Sequence, residues 1–153
     1  MENNKTDQEY MALAFEQANL SYEKGSFPIG SVLVRNGEVI AKGRNRMLEI
    51  KDITAHSEIE CFRGSGLQET FLDTVMYSTL SPCLMCTGAI LQFKIPRVVI
   101  GNAVTSEGHE ELLMQRGVEV VVLNDQSCHD ILVKYSKEKV PVWAKTTEEI
   151  EKK

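Results

Sequence analysis

The sequence has no run of eighteen or more apolar residues, so it offers no candidate membrane-spanning helix. Its first residues, Met1-Glu2-Asn3-Asn4-Lys5-Thr6-Asp7, are polar rather than signal-like, and a cytoplasmic protein is expected. Positive charge is in deficit: 17 Lys and Arg stand against 22 Asp and Glu, a formal net charge of −5, with the basic residues scattered among acids. A protein that grips a phosphate backbone usually needs a basic stripe, so nucleic-acid binding is disfavoured. Repeats, low-complexity tracts and inter-domain linkers are missing, which leaves one domain over residues 1–153. Cysteine is sparse, with four residues, and without a secretory signal these read as reduced thiols or metal ligands, not a disulfide framework.

What is present is an ordinary soluble composition, 42% hydrophobic and 25% charged, enough for one buried core. Thr6-Asp7-Gln8-Glu9 has the form of a capping box, and Met11, Ala14, Phe15, Ala18 and Tyr22 follow at helical spacing before Gly25. Ile29 to Arg35 and Glu38 to Ala41 flank Asn36-Gly37, the favoured type I′ dipeptide of a β-hairpin. From Lys42 to Ile53 periodicity is lost, and a strand end plus loop is expected. A short helix should start at Thr54 or Ala55 and close at Gly64 and Gly66.

A strand at residues 75–80 leads into a helix from Pro82 to Phe93, with Ser81 as its cap and Pro82 as its first position. Then come a strand from Arg97 to Gly101, a helix near Glu110 to Arg116, and a buried strand from Val118 to Leu123. A helix capped by Asn124 or Asp125 runs on to about Lys137. Single strands alternating with helices predict a three-layer α/β/α domain: about five strands in a mixed sheet, with helices on both faces.

The chemistry concentrates at Ser81-Pro82-Cys83-Leu84-Met85-Cys86 and His56-Ser57-Glu58. Thiols near a helix N-terminus are pushed towards thiolate, the metal-binding form. Cys83 and Cys86 with His56 make three ligands, and a catalytic zinc keeps its fourth position for water. Glu58, two residues from His56, is near enough to move that water's proton to a leaving amine. Two other readings stand beside this one. The cysteines could be a redox pair, or a structural zinc site could take a fourth ligand from Cys61, His109, Cys128 or His129. Cys61 falls on the helical pattern with Ile59 and Phe62 and reads better as a core thiol, and the two histidines read as surface residues.

His-x-Glu followed by Pro-Cys-x-x-Cys is the signature of zinc-dependent base deaminases. The sequence resembles the cytidine deaminase superfamily, and within it the fungal-type free-base cytosine deaminases. The matching runs are Phe27-Pro28-Ile29-Gly30, Gly43-Arg44-Asn45, His56-Ser57-Glu58, the stretch from Thr79 to Ile90, Ile95-Pro96-Arg97 and the stretch from Gln115 to Val122. The resemblance covers roughly residues 8 to 143. It implies one zinc per chain on His56, Cys83 and Cys86, and Glu58 as proton shuttle. Asn45 would donate to the ring's carbonyl edge, helped by the Ser57 backbone; otherwise it is a loop turn residue. The Ser81 carbonyl would accept from the departing amino group, Ile29 would line the floor, and Trp143 would cover the ring from the tail, residues 140–153.

It further implies a homodimer acting on a small heterocyclic substrate, cytosine first, with guanine, a creatinine-like amidine or tRNA adenosine as alternatives. A non-catalytic zinc module for protein interaction is the rival from another class. Three departures fall in substrate-reading positions. Ser57 stands where the family carries Gly or Ala. Thr105-Ser106-Glu107-Gly108 lacks the aromatic that lids the base. The tail after Trp143 has no acidic residue at the expected spacing, so Glu148 could serve only if the tail shifts.

Overall fold

The computed structural model describes residues 5–105 and 108–138. Trp143, Glu148 and the tail expected to cover the site lie outside these residues.

Helix α1 (Asp7–Glu23) begins with the expected capping box. The Glu9 N–H donates to Thr6 Oγ1 at 3.2 Å, and the Thr6 N–H donates to Glu9 Oε2 at 2.7 Å. Strands β1 (Gly30–Arg35) and β2 (Glu38–Arg44) form the hairpin. Asn36 at φ 49° and Gly37 at φ 81° both occupy the left-handed region that a type I′ turn requires. The stretch expected as a loop is more ordered than its pattern suggests: β2 runs on to Arg44, and one helical turn, α2 (Met47–Ile50), follows.

Helix α3 (Ser57–Ser65) starts later than expected, with His56 as an extended N-cap, and passes through Gly64 to end at Gly66. Strand β3 (Thr74–Leu80) leads into α4 (Leu84–Gln92). Here the structure corrects the expected helix start. Cys83, not Ser81, is the N-cap, at φ −67° and ψ 176°. The first helical bond runs from the Thr87 N–H to the Cys83 carbonyl at 2.8 Å, while the Thr87 hydroxyl takes up the Pro82 carbonyl at 3.3 Å. Pro82 therefore stands outside the helix.

The remaining elements are β4 (Arg97–Asn102), α5 (Glu110–Gln115), β5 (Glu119–Val122) and α6 (Gln126–Glu138). Asp125 caps α6 by accepting the Cys128 N–H at 3.1 Å. Strand β5 is half-exposed rather than buried, because it ends the sheet and has a neighbour on one side only. Among the described residues no helix is long and apolar enough to cross a membrane.

The sheet order is β2-β1-β3-β4-β5. β1 is antiparallel to both β2 and β3, whereas β3, β4 and β5 are parallel, so the sheet is mixed as expected. Alternate residues serve opposite faces. Val32, Val34, Tyr77 and Val99 pack with Tyr10, Met11 and Ala14 of α1 and Cys128 of α6. Leu33, Met76, Val98 and Ile100 pack with Cys61 of α3, Ile90 of α4 and Leu113 of α5. The three-layer architecture is the observed one.

This topology brings the motifs together. Gly30 pairs with Arg44 and Ser31 with Ser78, so the start of β1, the end of β2 and the end of β3 share one edge of the sheet. Ile29, Asn45 and Ser81 sit there, at the point where antiparallel pairing gives way to parallel. The N-termini of α3 and α4 complete that edge, where α/β sheets place their sites.

Candidate active site

His56 precedes α3 and Cys83 precedes α4, while Cys86 lies in the first turn of α4. The two helix starts converge. His56 Nδ1 is 3.5 Å from Cys83 Sγ and 3.7 Å from Cys86 Sγ, and the three donor atoms all lie within 4.8 Å of one another. A tetrahedral zinc with ordinary Zn–N and Zn–S bonds sets its nitrogen and sulfur ligands about 3.6 Å apart. The spacing fits such an ion. Cys61 and Cys128 are fully buried elsewhere, and no fourth His, Cys, Asp or Glu joins the cluster among the described residues.

The donor set is electrostatically primed. The hydrogen bond from Cys86 lowers the Cys83 thiol to about 4, against burial, with help from His56. Cys86 holds the shared proton, so its own ionisation is pushed far up, by Cys83 first and by burial second. His56 is raised chiefly by its bond to Cys83, with a smaller part from the Ile53 backbone. A metal bound by these three side chains displaces the protons they share. Cys61 and Cys128 are different: burial pushes the first well up and the second to about 12, the behaviour of core thiols.

Glu58 is the second residue of α3 and only 4% exposed. Its charge is among the causes that push the Cys86 thiol up. Its Oε1 lies within hydrogen-bond range of the hydroxyls of Ser57, of Ser78 at 3.2 Å and of Ser31 at 3.3 Å. No feature of the sequence singled out Ser31 or Ser78. A lone serine in an apolar strand carries no motif, and only strand pairing reveals its neighbour.

Asn45 follows β2 and is 2% exposed. Its Oδ1 accepts from Ser26 Oγ at 3.0 Å and from the Met47 N–H at 3.1 Å, so the amide is pinned by a backbone donor. The bond from the Met47 N–H is the local contact of a loop turn residue. Its own N–H donates to the Ile29 carbonyl at 2.9 Å, which sets Ile29 beside it, and its carbonyl accepts from Ser21 Oγ at 2.7 Å. Oδ1 is spoken for, and Nδ2 is the end of the amide that these bonds leave over.

Ser81 is buried, and its N–H donates to the Asn102 carbonyl at 2.9 Å. Its hydroxyl has no partner among the described residues, and Gly108 lies close against it. His109 and His129 are partly exposed, as expected of surface residues.

A five-stranded mixed sheet with a His-Cys-Cys cluster at the starts of two helices describes a class of zinc-dependent deaminases. Residues 4–102 match the cytidine and deoxycytidylate deaminase zinc-binding region, and the chain belongs to that family. Among particular relatives, cytosine deaminase of Candida albicans is 41% identical over 140 residues, which cover 90% of this chain and 93% of that protein. A chloroplastic tRNA(adenine(34)) deaminase of Arabidopsis thaliana is 40% identical over 103 residues, 65% of this chain but 8% of that much longer protein. A structure from work on A-to-I editing by tRNA:A34 deaminases superposes with a TM-score of 0.72 at 33% identity, over 82% of this chain and 99% of that one.

Proposed function

We propose that the protein is a zinc-dependent hydrolase that converts cytosine and water to uracil and ammonia. The observation that carries this reading is the pairing of a three-ligand cluster with a buried carboxylate beside it and, among the described residues, no fourth protein ligand. A redox pair gives His56 and Glu58 no task, and a structural zinc wants a fourth ligand.

A zinc ion held by His56, Cys83 and Cys86 supplies the Lewis acidity that makes water a nucleophile at neutral pH. Glu58 takes one proton from the attacking water and delivers it to the ring nitrogen, then carries the second from the new hydroxyl to the amine. The water oxygen bonds to the amino-bearing carbon, the carbon–nitrogen bond breaks, and ammonia leaves. Asn45 Nδ2 donates to the ring carbonyl, with the Ser57 backbone beside it. The Ser81 carbonyl accepts from the amino group, Ile29 forms the floor, and Trp143 closes the ring from above as part of tail 140–153.

Cytosine is favoured over tRNA adenosine by the length of the match, which runs nearly end to end in the Candida protein and stops at 103 residues in the Arabidopsis one. The net charge of −5 points the same way. The enzyme acts in the cytoplasm, in keeping with four free cysteines, and as a homodimer. Leu48, Ile50 and Ile53 before α3, and Leu84 and Met85 on α4, are exposed apolar side chains flanking the metal residues, material for a subunit contact.

The test is ammonia release by the zinc-loaded protein, given cytosine and, in parallel, guanine, creatinine and an adenosine-bearing tRNA anticodon stem, with the same preparation sized by sedimentation. Release from cytosine and a mass of twice 17.2 kDa are expected. Turnover of another ring in place of cytosine overturns the substrate, silence on all four with zinc bound overturns the enzyme, and a monomer overturns the dimer.

A further inference from the structure

Three serines from three different elements meet at Glu58. Ser31 lies in β1, Ser57 opens α3 and Ser78 lies in β3, and all three are completely buried. Ser31 Oγ is 2.7 Å from Ser57 Oγ and 3.1 Å from Ser78 Oγ, a cross-strand pair on the face of the sheet that α3 covers. All three hydroxyls lie within hydrogen-bond range of the same atom, Glu58 Oε1.

A buried hydroxyl is costly unless it donates, so where each proton goes is a matter of accounting. Ser57 and Ser78 each donate to Oε1, and Ser31 donates either to Oε1 itself or to the Ser57 or Ser78 oxygen beside it. Every proton is then directed, straight or through a neighbour, at a single carboxylate oxygen, and a chained bond strengthens the one after it. Oε2 receives none of them.

We infer that Ser31, Ser57 and Ser78 are positioning residues that lock the Glu58 carboxylate by one oxygen and leave the other free to carry the proton. The inference rests on the reading of Glu58 as the proton shuttle. A glutamate has three rotatable side-chain bonds, and a proton relay needs its oxygen held to within a few tenths of an ångström on both the accepting and the delivering step. The hydroxyls of serines on two paired strands and a helix start supply that restraint, separately from any contact the Ser57 backbone makes with the ring. A packing role alone would call for alanine at these sites.

The experiment uses full-length, zinc-loaded protein with cytosine, and reads kcat, KM, zinc per chain and melting temperature. Glu58→Gln tests the shuttle itself: retained turnover overturns that reading and the cradle with it. Ser57→Ala and Ser78→Ala test the cradle. Each is expected to lower kcat roughly 10-fold, the worth of one charge-assisted hydrogen bond, with KM and zinc content unchanged. In a Glu58→Asp background, where the shortened carboxylate has already withdrawn from the hydroxyls, the same alanines should change kcat less than about 2-fold.

If Glu58→Gln is inactive while the alanines leave kcat unchanged, the cradle falls and the shuttle stands. Equal losses in the Glu58 and Asp backgrounds also overturn the cradle, since they mark effects independent of the carboxylate. Should one alanine variant fail to fold, the other and Ser31→Ala carry the same comparison, because each hydroxyl feeds the same oxygen.

Discussion

At the scale of single residues, the site divides into atoms that are committed and atoms that are spare. Asn45 shows this most clearly, since its Oδ1 is held by Ser26 and the Met47 N–H while Nδ2 remains to meet a carbonyl. With Nδ2 as the proposed donor to the ring carbonyl, Asn45→Asp keeps size and the Ser26 bond but sets oxygen against oxygen there. A fall in kcat/KM of roughly 100-fold is expected, carried mostly by KM, with zinc content unchanged. Steady-state kinetics beside metal analysis checks it; an unchanged KM would place the ring carbonyl elsewhere. Cys83 is committed in another sense. Its thiol, lowered to about 4 by Cys86 and His56, is ready to ligate at neutral pH, while buried Cys61 and Cys128 are not.

At the scale of elements, the decisive contact is between β2 and α3. A Cβ on Gly43 would lie 2.0 Å from the Ser57 carbonyl oxygen and 2.7 Å from the Cys61 nitrogen, both backbone atoms of α3. No side-chain adjustment relieves that overlap, so the helix carrying Glu58, with His56 at its cap, would have to move. Gly43→Ala is expected to cost about 3 kcal/mol of stability. It should also reduce activity more than the loss of folded protein accounts for, because the shift is delivered to the metal residues. Urea denaturation and turnover per bound zinc measure the two effects separately. A stable, fully active variant would mean that α3 can slide on the sheet without disturbing the site.

At the scale of the whole molecule, Asp7 ties together parts of the chain remote in sequence. Arg97 grips its carboxylate with two bonds of 2.9 and 2.8 Å, and the Tyr77 hydroxyl donates at 2.7 Å. Arg97 also reaches Glu119 at 2.9 Å, so one guanidinium joins the start of α1 to β4 and the edge strand β5. Arg97 holds the Asp7 carboxyl below its ordinary value of 3.8. A carboxyl lowered in the folded state binds fewer protons there than in the unfolded chain. Its stabilising effect is therefore full above the unfolded value and fades as pH falls through the folded one. The stability gap between wild type and Asp7→Asn should be constant at neutral pH and shrink as pH falls below the ordinary value of 3.8, which melting curves across that range would reveal. A gap that stayed constant to acid would assign Asp7 a role in packing rather than charge.

Much of this protein was legible in its sequence because local physics decides it. The Thr6 capping box and the Asn36-Gly37 turn each depend on residues a few positions apart, the three-layer order followed from single strands alternating with helices along the chain, and the metal residues were readable from spacing within two short motifs. Where the reading slipped, a distant partner had decided. The start of α4 moved from Ser81 to Cys83 because the Thr87 hydroxyl captures the Pro82 carbonyl. β5 lost its burial because it lies at the sheet's edge, a fact of strand order that no stretch of β5 records. The Ser57 side chain stood out in sequence only as a departure. That its hydroxyl meets Ser31 and Ser78 on Glu58 depends on pairing β1 with β3 beneath α3. Composition and periodicity act along the chain and determined the elements and the metal chemistry; hydrogen bonds between elements act across it, and only tertiary structure could decide which oxygen of Glu58 is held.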